Sequence, residues 1–127
     1  MKHLRILLAE DNNVNQIVAS RLLEKRGHTV FIAENGEQAV SFFETEKLDI
    51  IFMDLQMPIM DGFAATLAIR SSQDGINRAD IPIIAMTAHA RSEDRDACLK
   101  AGMSDYLSKP IEPEAIESVL ETYQYLS

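Results

Sequence analysis

Five short apolar runs, each giving way to a polar residue, are separated by longer segments with helical spacing. The runs are Arg5-Ile6-Leu7-Leu8-Ala9, Thr29-Val30-Phe31-Ile32-Ala33, Asp49-Ile50-Ile51-Phe52-Met53, Ile81-Pro82-Ile83-Ile84-Ala85-Met86 and Asp105-Tyr106-Leu107-Ser108. Their length suits strands. The third is apolar on both faces, as a central parallel strand covered from both sides must be. Pro82 falls near the first residue of its run, where a strand tolerates proline.

The intervening segments read as helices. Asn12 or Asn13 can cap the first, on which Val14, Ile17, Val18 and Leu22 form one stripe, and Gly27 supplies a stop. Asn35-Gly36 opens the second, with Ala39, Val40 and Phe43 inward. The third runs from Gly62 to Ser71 around Phe63 and Leu67, and the polar stretch Ser71 to Asp80 is expected to be an exposed loop. The fourth, Ala90 to Ala101, has the thinnest apolar stripe, made of Ala97, Cys98 and Ala101. Pro113 suits the first turn of the last helix, whose stripe is Ile116, Val119, Leu120 and Tyr123.

Strands alternating with helices argue for a parallel α/β sheet with short right-handed crossovers and helices on both faces. The 127 residues fit one domain, expected to span residues 1–127, with no repeat, no linker and no output domain after the last helix. Apolar residues at 46% and charged residues at 25% suit a soluble globular protein. No apolar run is long enough to span a bilayer, the N-terminus lacks a signal-peptide pattern, and the single cysteine, Cys98, cannot form an internal disulfide. A cytoplasmic location without membrane contact is therefore expected. A net charge of -8 with no basic cluster argues against direct nucleic-acid binding.

In an open α/β sheet the chemistry lies beyond the carboxyl ends of the strands. Glu10 and Asp11 follow the first strand, Asp54 the third, Thr87 the fourth and Lys109 the fifth. If those strands are neighbours, three acids, a hydroxyl and an amine share one pocket. Three adjacent carboxylates repel one another, so they call for a cation. Oxygen ligands with no Cys or His cluster suit Mg²⁺ or Mn²⁺ and disfavour zinc. A carboxylate can also act as a nucleophile and form an aspartyl-phosphate, with Lys109 and Thr87 contacting the other phosphoryl oxygens. Taken singly, each residue has an ordinary reading: a turn acid, a helix-start acid pair, a loop threonine, a solvated lysine. The constellation is far more specific than its parts.

The segments Leu8-Ala9-Glu10-Asp11-Asn12, Met53-Asp54-Leu55-Gln56-Met57-Pro58-Ile59-Met60-Asp61-Gly62, Ala85-Met86-Thr87-Ala88 and Lys109-Pro110 resemble the signature blocks of response-regulator receiver domains of two-component systems, in order and spacing over nearly the whole chain. The resemblance implies a flavodoxin-like (βα)5 doubly wound parallel sheet of strand order 2-1-3-4-5. It implies that Asp54 accepts a phosphoryl group from a phosphohistidine on a histidine kinase or histidine phosphotransfer domain. Glu10, Asp11, Asp54 and the main-chain carbonyl of Gln56 would bind Mg²⁺, Thr87 would move toward the phosphoryl group and Lys109 would hold it. The Lys109-Pro110 bond is expected to be cis.

The same resemblance makes Thr87 and Tyr106 the switch pair that changes the surface of helix four, strand five and helix five, with Ala88 controlling their coupling. Gln56 and His89 would tune the lifetime of the phosphoryl state; an ordinary surface histidine is the other reading of His89. Glu10-Asp11-Asn12 followed by Asn15-Gln16, and the stretch from Cys98 to Leu107, are similar to receivers fused to hybrid sensor histidine kinases; Ser104 departs from a frequent Asp. The chain is then one domain of a larger membrane kinase, or else a free single-domain regulator. No conventional enzyme is implied, only Mg²⁺-dependent self-phosphorylation and autodephosphorylation.

Three rival readings fit less well. A flavin carrier of this fold needs a hydroxyl- and glycine-rich loop after the first strand, where Glu10-Asp11-Asn12-Asn13 stands. A haloacid-dehalogenase-like phosphatase needs a second acid where Gln56 stands. A pseudo-receiver, a pure interaction module, would have lost an acid or the lysine.

Overall fold

The computed structural model describes residues 3–73, 75–88 and 92–123. In chain order the elements are β1 (Arg5–Ala9), α1 (Asn13–Lys25), β2 (Thr29–Ala33), α2 (Gly36–Thr45), β3 (Ile50–Asp54), α3 (Gly62–Arg70), β4 (Ile83–Thr87), α4 (Ser92–Lys100), β5 (Asp105–Ser108) and α5 (Pro113–Tyr123). The strands form one parallel sheet in the order β2-β1-β3-β4-β5, as expected.

Strand alternation divides the core in two. Leu7, Ala9, Ile51, Met53, Ile83 and Ala85 face one side, where they pack with Phe43 of α2, Ala65 and Ile69 of α3 and Cys98 of α4. Ile6, Leu8, Ile50, Phe52, Ile84 and Met86 face the other side, against Ala19 and Leu23 of α1 and Ile116, Val119 and Leu120 of α5. Both faces of β3 and β4 are therefore buried, which is why their sequences are apolar at successive positions.

The register levels the carboxyl ends of the strands. Ala9 lies opposite Met53, Asp54 opposite Met86, and Thr87 opposite Ser108. One residue further on stand Glu10 and Lys109, so the polar residues that end four strands are brought to one edge of the sheet.

Several sequence expectations are corrected. The α1 stripe of Val14, Ile17 and Val18 is exposed at 67%, 49% and 48%, and the helix buries Ala19, Ser20 and Leu23 instead. Small Ala19 and Ser20 let the helix sit close to the sheet, which turns the branched side chains outward. Leu67 of α3 is likewise exposed, and Gly62, Ala65, Thr66 and Ile69 form the buried face. In α4, Ala97 is exposed, Ala101 beyond it is half-buried and Cys98 is buried; Ala90 and Arg91 lie outside the described residues.

The stretch 71–80 is not wholly exposed. Asn77 is buried; its side chain accepts a hydrogen bond from Leu48 N–H and donates to the carbonyls of Phe43 and Glu46. β3 starts one residue later than expected because Asp49 turns its carboxylate to the Arg5 N–H. β4 starts at Ile83, after Pro82.

Candidate functional site

Glu10 is 2% exposed and is held by hydrogen bonds through its main chain and its carboxylate. Its N–H donates to the Ala33 carbonyl, its carbonyl accepts from Gln16 Nε2 at 2.6 Å, and one carboxylate oxygen accepts from the Asn12 N–H at 3.1 Å. Asn12 then caps α1, its side chain accepting from Asn15 N–H. Asp11, between these two anchored residues, is exposed.

Asp54 closes β3 and is 5% exposed. Oxygens of Glu10, Asp11 and Asp54 all lie within 4.8 Å of one another. Lys109 Nζ sits 2.9 Å from Glu10 Oε1 and 2.9 Å from Asp54 Oδ2, bridging two of the three acids. The Lys109-Pro110 peptide is cis, as expected. Thr87 is buried at the end of β4, and its carbonyl accepts from the Lys109 N–H at 2.8 Å. The five residues read from the strand ends are therefore neighbours.

The electrostatics follow from burial and crowding. Burial pushes the Asp54 carboxyl up, and Glu10 beside it adds to the rise; Lys109 opposes them, and the result is about 6. Burial works in the same direction on Glu10, but the hydrogen bonds from Lys109 and the Asn12 N–H outweigh it and hold that carboxyl below its ordinary value. Burial would lower the Lys109 ammonium; its bonds to Glu10 and Asp54 instead raise it. Three acids with one ammonium leave a surplus of negative charge. Hard oxygen donors, two buried and one open to solvent, fit a divalent cation of the Mg²⁺ or Mn²⁺ type.

The wall beside Asp54 depends on a close approach. A Cβ on Gly62 would lie 2.2 Å from the Asp54 carbonyl oxygen, so only glycine lets α3 start against the end of β3. Gly36 at the start of α2 donates its N–H to the Met60 carbonyl and tethers the same loop. Gln56 donates its N–H to Asp54 Oδ1 at 3.3 Å and leaves its side chain exposed. Asp11, Leu55, Gln56, Met57, Pro58, Asp61 and Phe63 line an open depression beside the acids.

Tyr106 on β5 is half-buried, with the Arg95 guanidinium 5.5 Å over its ring. Ala88 is exposed beyond β4. His89, expected to tune the site, lies outside the described residues. Reasoning from strand ends missed Gln16, Gly36 and Gly62 as parts of the site. An amide donor one turn into the helix after an acid pair is a signal for the first; Gly62 owes its place to the close turn from β3 into α3, and Gly36 to an approach by Met60, 24 positions later.

A family model described as the response regulator receiver domain matches residues 6–121. The chain is 43% identical over 123 residues to hybrid signal transduction histidine kinase I of Dictyostelium discoideum, covering 93% of this chain and 7% of that protein. It is 40% identical to the sensor protein GacS of Pseudomonas syringae pv. syringae, over 91% of this chain and 13% of that protein. The chain thus spans a small fraction of these curated relatives.

Among solved structures, it resembles the receiver domain of the sensor histidine kinase PA1611 from Pseudomonas aeruginosa PAO1, which has a magnesium ion coordinated in its active site cleft. The TM-score is 0.86 and the identity 41%, covering 96% of this chain and 98% of that one. It also resembles the receiver domain side of a co-crystal of the Saccharomyces cerevisiae histidine phosphotransfer signaling protein Ypd1 with the receiver domain of its downstream response regulator Ssk1. Here the TM-score is 0.88 and the identity 30%, covering 98% of this chain and 90% of that one.

Proposed function

The chain belongs to the response regulator receiver domain family of two-component phosphorelays, and from that premise we propose that Asp54 is its phosphoryl acceptor. The observation that carries this reading is the bridge from Lys109 Nζ to Asp54 and Glu10, inside a cluster of three carboxylates. An oxygen of Asp54 attacks the phosphorus of a phosphohistidine. The new P–O bond forms as the P–N bond breaks, and the departing imidazole nitrogen keeps the electron pair and takes up a proton. Asp54 must be ionised to attack, which its position near pH 6 allows at neutral pH.

Glu10, Asp11 and Asp54, with the main-chain carbonyl of Gln56, would hold Mg²⁺ or Mn²⁺. Bound there, the cation would offset the negative charge of the transferring phosphoryl group. Lys109 keeps its ammonium against one phosphoryl oxygen and the Thr87 hydroxyl donates to another. Thr87 moving inward opens space for Tyr106, and the surface of α4, β5 and α5 changes with it. Gln56, and His89 outside the described residues, flank the acceptor and would govern water access to the phosphoryl group.

The donor is a histidine kinase or a histidine phosphotransfer domain. Val18 of α1 lines a cleft with Glu10 and Lys109, and with the exposed Val14 and Ile17 of the same helix it gives such a donor an apolar surface to dock on. Net charge -8 disfavours nucleic acid as a direct partner. Among the described residues no helix is long and apolar enough to cross a membrane. We take the receiver domain to comprise residues 1–127 and to work in the cytoplasm, on a protein of the hybrid-kinase kind.

Intact-protein mass after incubation with acetyl phosphate and Mg²⁺ tests the reading. The expected result is one Mg²⁺-dependent phosphoryl adduct, absent from Asp54→Ala. No adduct, under conditions that label another receiver, would return the chain to the pseudo-receiver reading.

A further inference from the structure

We propose that Gln16 is a positioning residue for the metal-binding acid pair, acting through the main chain of Glu10. The inference rests on the reading that Glu10, Asp11 and Asp54 hold a divalent cation. Gln16 sits in the first turn of α1 and makes two bonds back, the opening helical bond from its main chain and one across the β1–α1 loop from its side chain. Its N–H donates to the Asn12 carbonyl at 2.9 Å, and its side-chain Nε2 donates to the Glu10 carbonyl at 2.6 Å. The Glu10 end of the loop, which the helix main chain does not reach, is thereby fastened to the helix by the Gln16 side chain.

The consequence falls on Asp11. Glu10 has other anchors: the Ala33 carbonyl on its N–H, and Lys109 and the Asn12 N–H on its carboxylate. Asp11 is exposed, and the peptide planes on either side of it set the point and direction from which its carboxylate reaches the other two acids. The plane before Asp11 contains the Glu10 carbonyl that Gln16 holds. β1 ends at Ala9, so this carbonyl lies past the strand register, where the helix side chain takes over the task of orienting it. Without the Gln16 amide that plane can rotate, and the Asp11 oxygen leaves the position from which it converges with Glu10 and Asp54. Groups that orient metal ligands from behind typically govern affinity on the order of ten- to a hundredfold.

The experiment is a titration of the full chain with Mg²⁺ alone, followed by calorimetry and by the amide NMR shifts of Asp11 and Asp54. It compares wild type, Gln16→Met, Gln16→Ala and the same-turn control Asn13→Ala. Methionine keeps the length of the side chain and removes the donor. The Kd for Mg²⁺ is expected to rise roughly tenfold in both Gln16 variants and to stay within about twofold in the control. Phosphorylation by acetyl phosphate should slow at low Mg²⁺ and recover at saturating Mg²⁺. Thermal unfolding of each variant separates this from loss of folded protein, because a merely structural Gln16 would lower Tm and leave the Kd of the folded chain unchanged. Unchanged Kd in Gln16→Met, with wild type binding normally, overturns the inference alone. A wild-type chain that binds no Mg²⁺ overturns the metal reading and the inference together.

Discussion

Glu10 after β1 and Arg95 on α4 are held in contrasting ways. Glu10 is buried and bonded through its N–H, its carbonyl and both carboxylate oxygens. Arg95 is exposed, with its guanidinium 5.5 Å over the Tyr106 ring. The elements that carry them differ in the same sense. The β1–α1 loop is pinned at each residue around Asp11, whereas α4 buries Cys98 as its inward side chain among the described residues. A site that must present charge at fixed positions gains from rigid surroundings, and a surface that must change gains from a weakly seated helix.

The largest test of the rigid region is Lys109→Met. It leaves Glu10 and Asp54 facing each other without their cation, and unpaired buried charge is costly. A loss of about 3 kcal/mol in urea unfolding without Mg²⁺ is expected, together with loss of the phosphoryl adduct. Adding Mg²⁺ should return part of the stability, since the ion offsets the same two acids. Equal stability of Lys109→Met and wild type without metal would show that the region is not strained by its charges.

Asp54→Asn sharpens the comparison through pH. The folded carboxyl sits at about 6, above its ordinary value of 3.8, so the folded state binds this proton more tightly than the unfolded state does. That contribution to stability is fully present below pH 4, is lost as pH rises through 6, and leaves an ionised, unfavourable Asp54 at pH 8. Asparagine does not titrate. Without Mg²⁺ the variant should therefore be more stable than wild type at pH 8 by about 2 kcal/mol, after allowing for the lost Lys109 contact. The advantage should vanish toward pH 4. A gain that does not depend on pH would place its origin elsewhere than in the Asp54 charge.

Arg95→Ala carries the smallest effect and tests the other region. A cation–π contact at an exposed position contributes about 0.5 kcal/mol, so amide exchange in α4 should quicken by roughly twofold while the global unfolding midpoint stays put. Arg95→Lys should fall between the two. If the whole chain loses stability along with α4, the helix is not the separate, weakly seated element that the comparison makes it.

The central strands β3 and β4 were legible in the sequence because both of their faces are buried, so a run such as Ile50-Ile51-Phe52-Met53 leaves little choice of environment. The helices were legible in extent and less so in orientation. Val14, Ile17, Val18 and Leu67 are apolar at helical spacing and yet exposed. Periodicity reports that a helix has an apolar face; it does not say whether the sheet or another molecule will cover it. Asn77 looked like a loop residue, and its three bonds to Phe43, Glu46 and Leu48 join segments about thirty residues away.

The residues alone determined that Glu10, Asp11, Asp54, Thr87 and Lys109 would collect at one edge. Each follows an apolar strand, and parallel strands of one sheet end on the same side. Tertiary structure decided the rest. The strand order brings Lys109 within 2.9 Å of two acids that lie 99 and 55 positions earlier in the chain. The way each strand turns into its helix brings Gly62 against Asp54, and the first turn of α1 onto the Glu10 carbonyl. The physical reason is range. Burial pattern and strand polarity are written along the chain, whereas hydrogen bonds and charge coupling act over a few ångströms and depend on which elements the packing sets side by side.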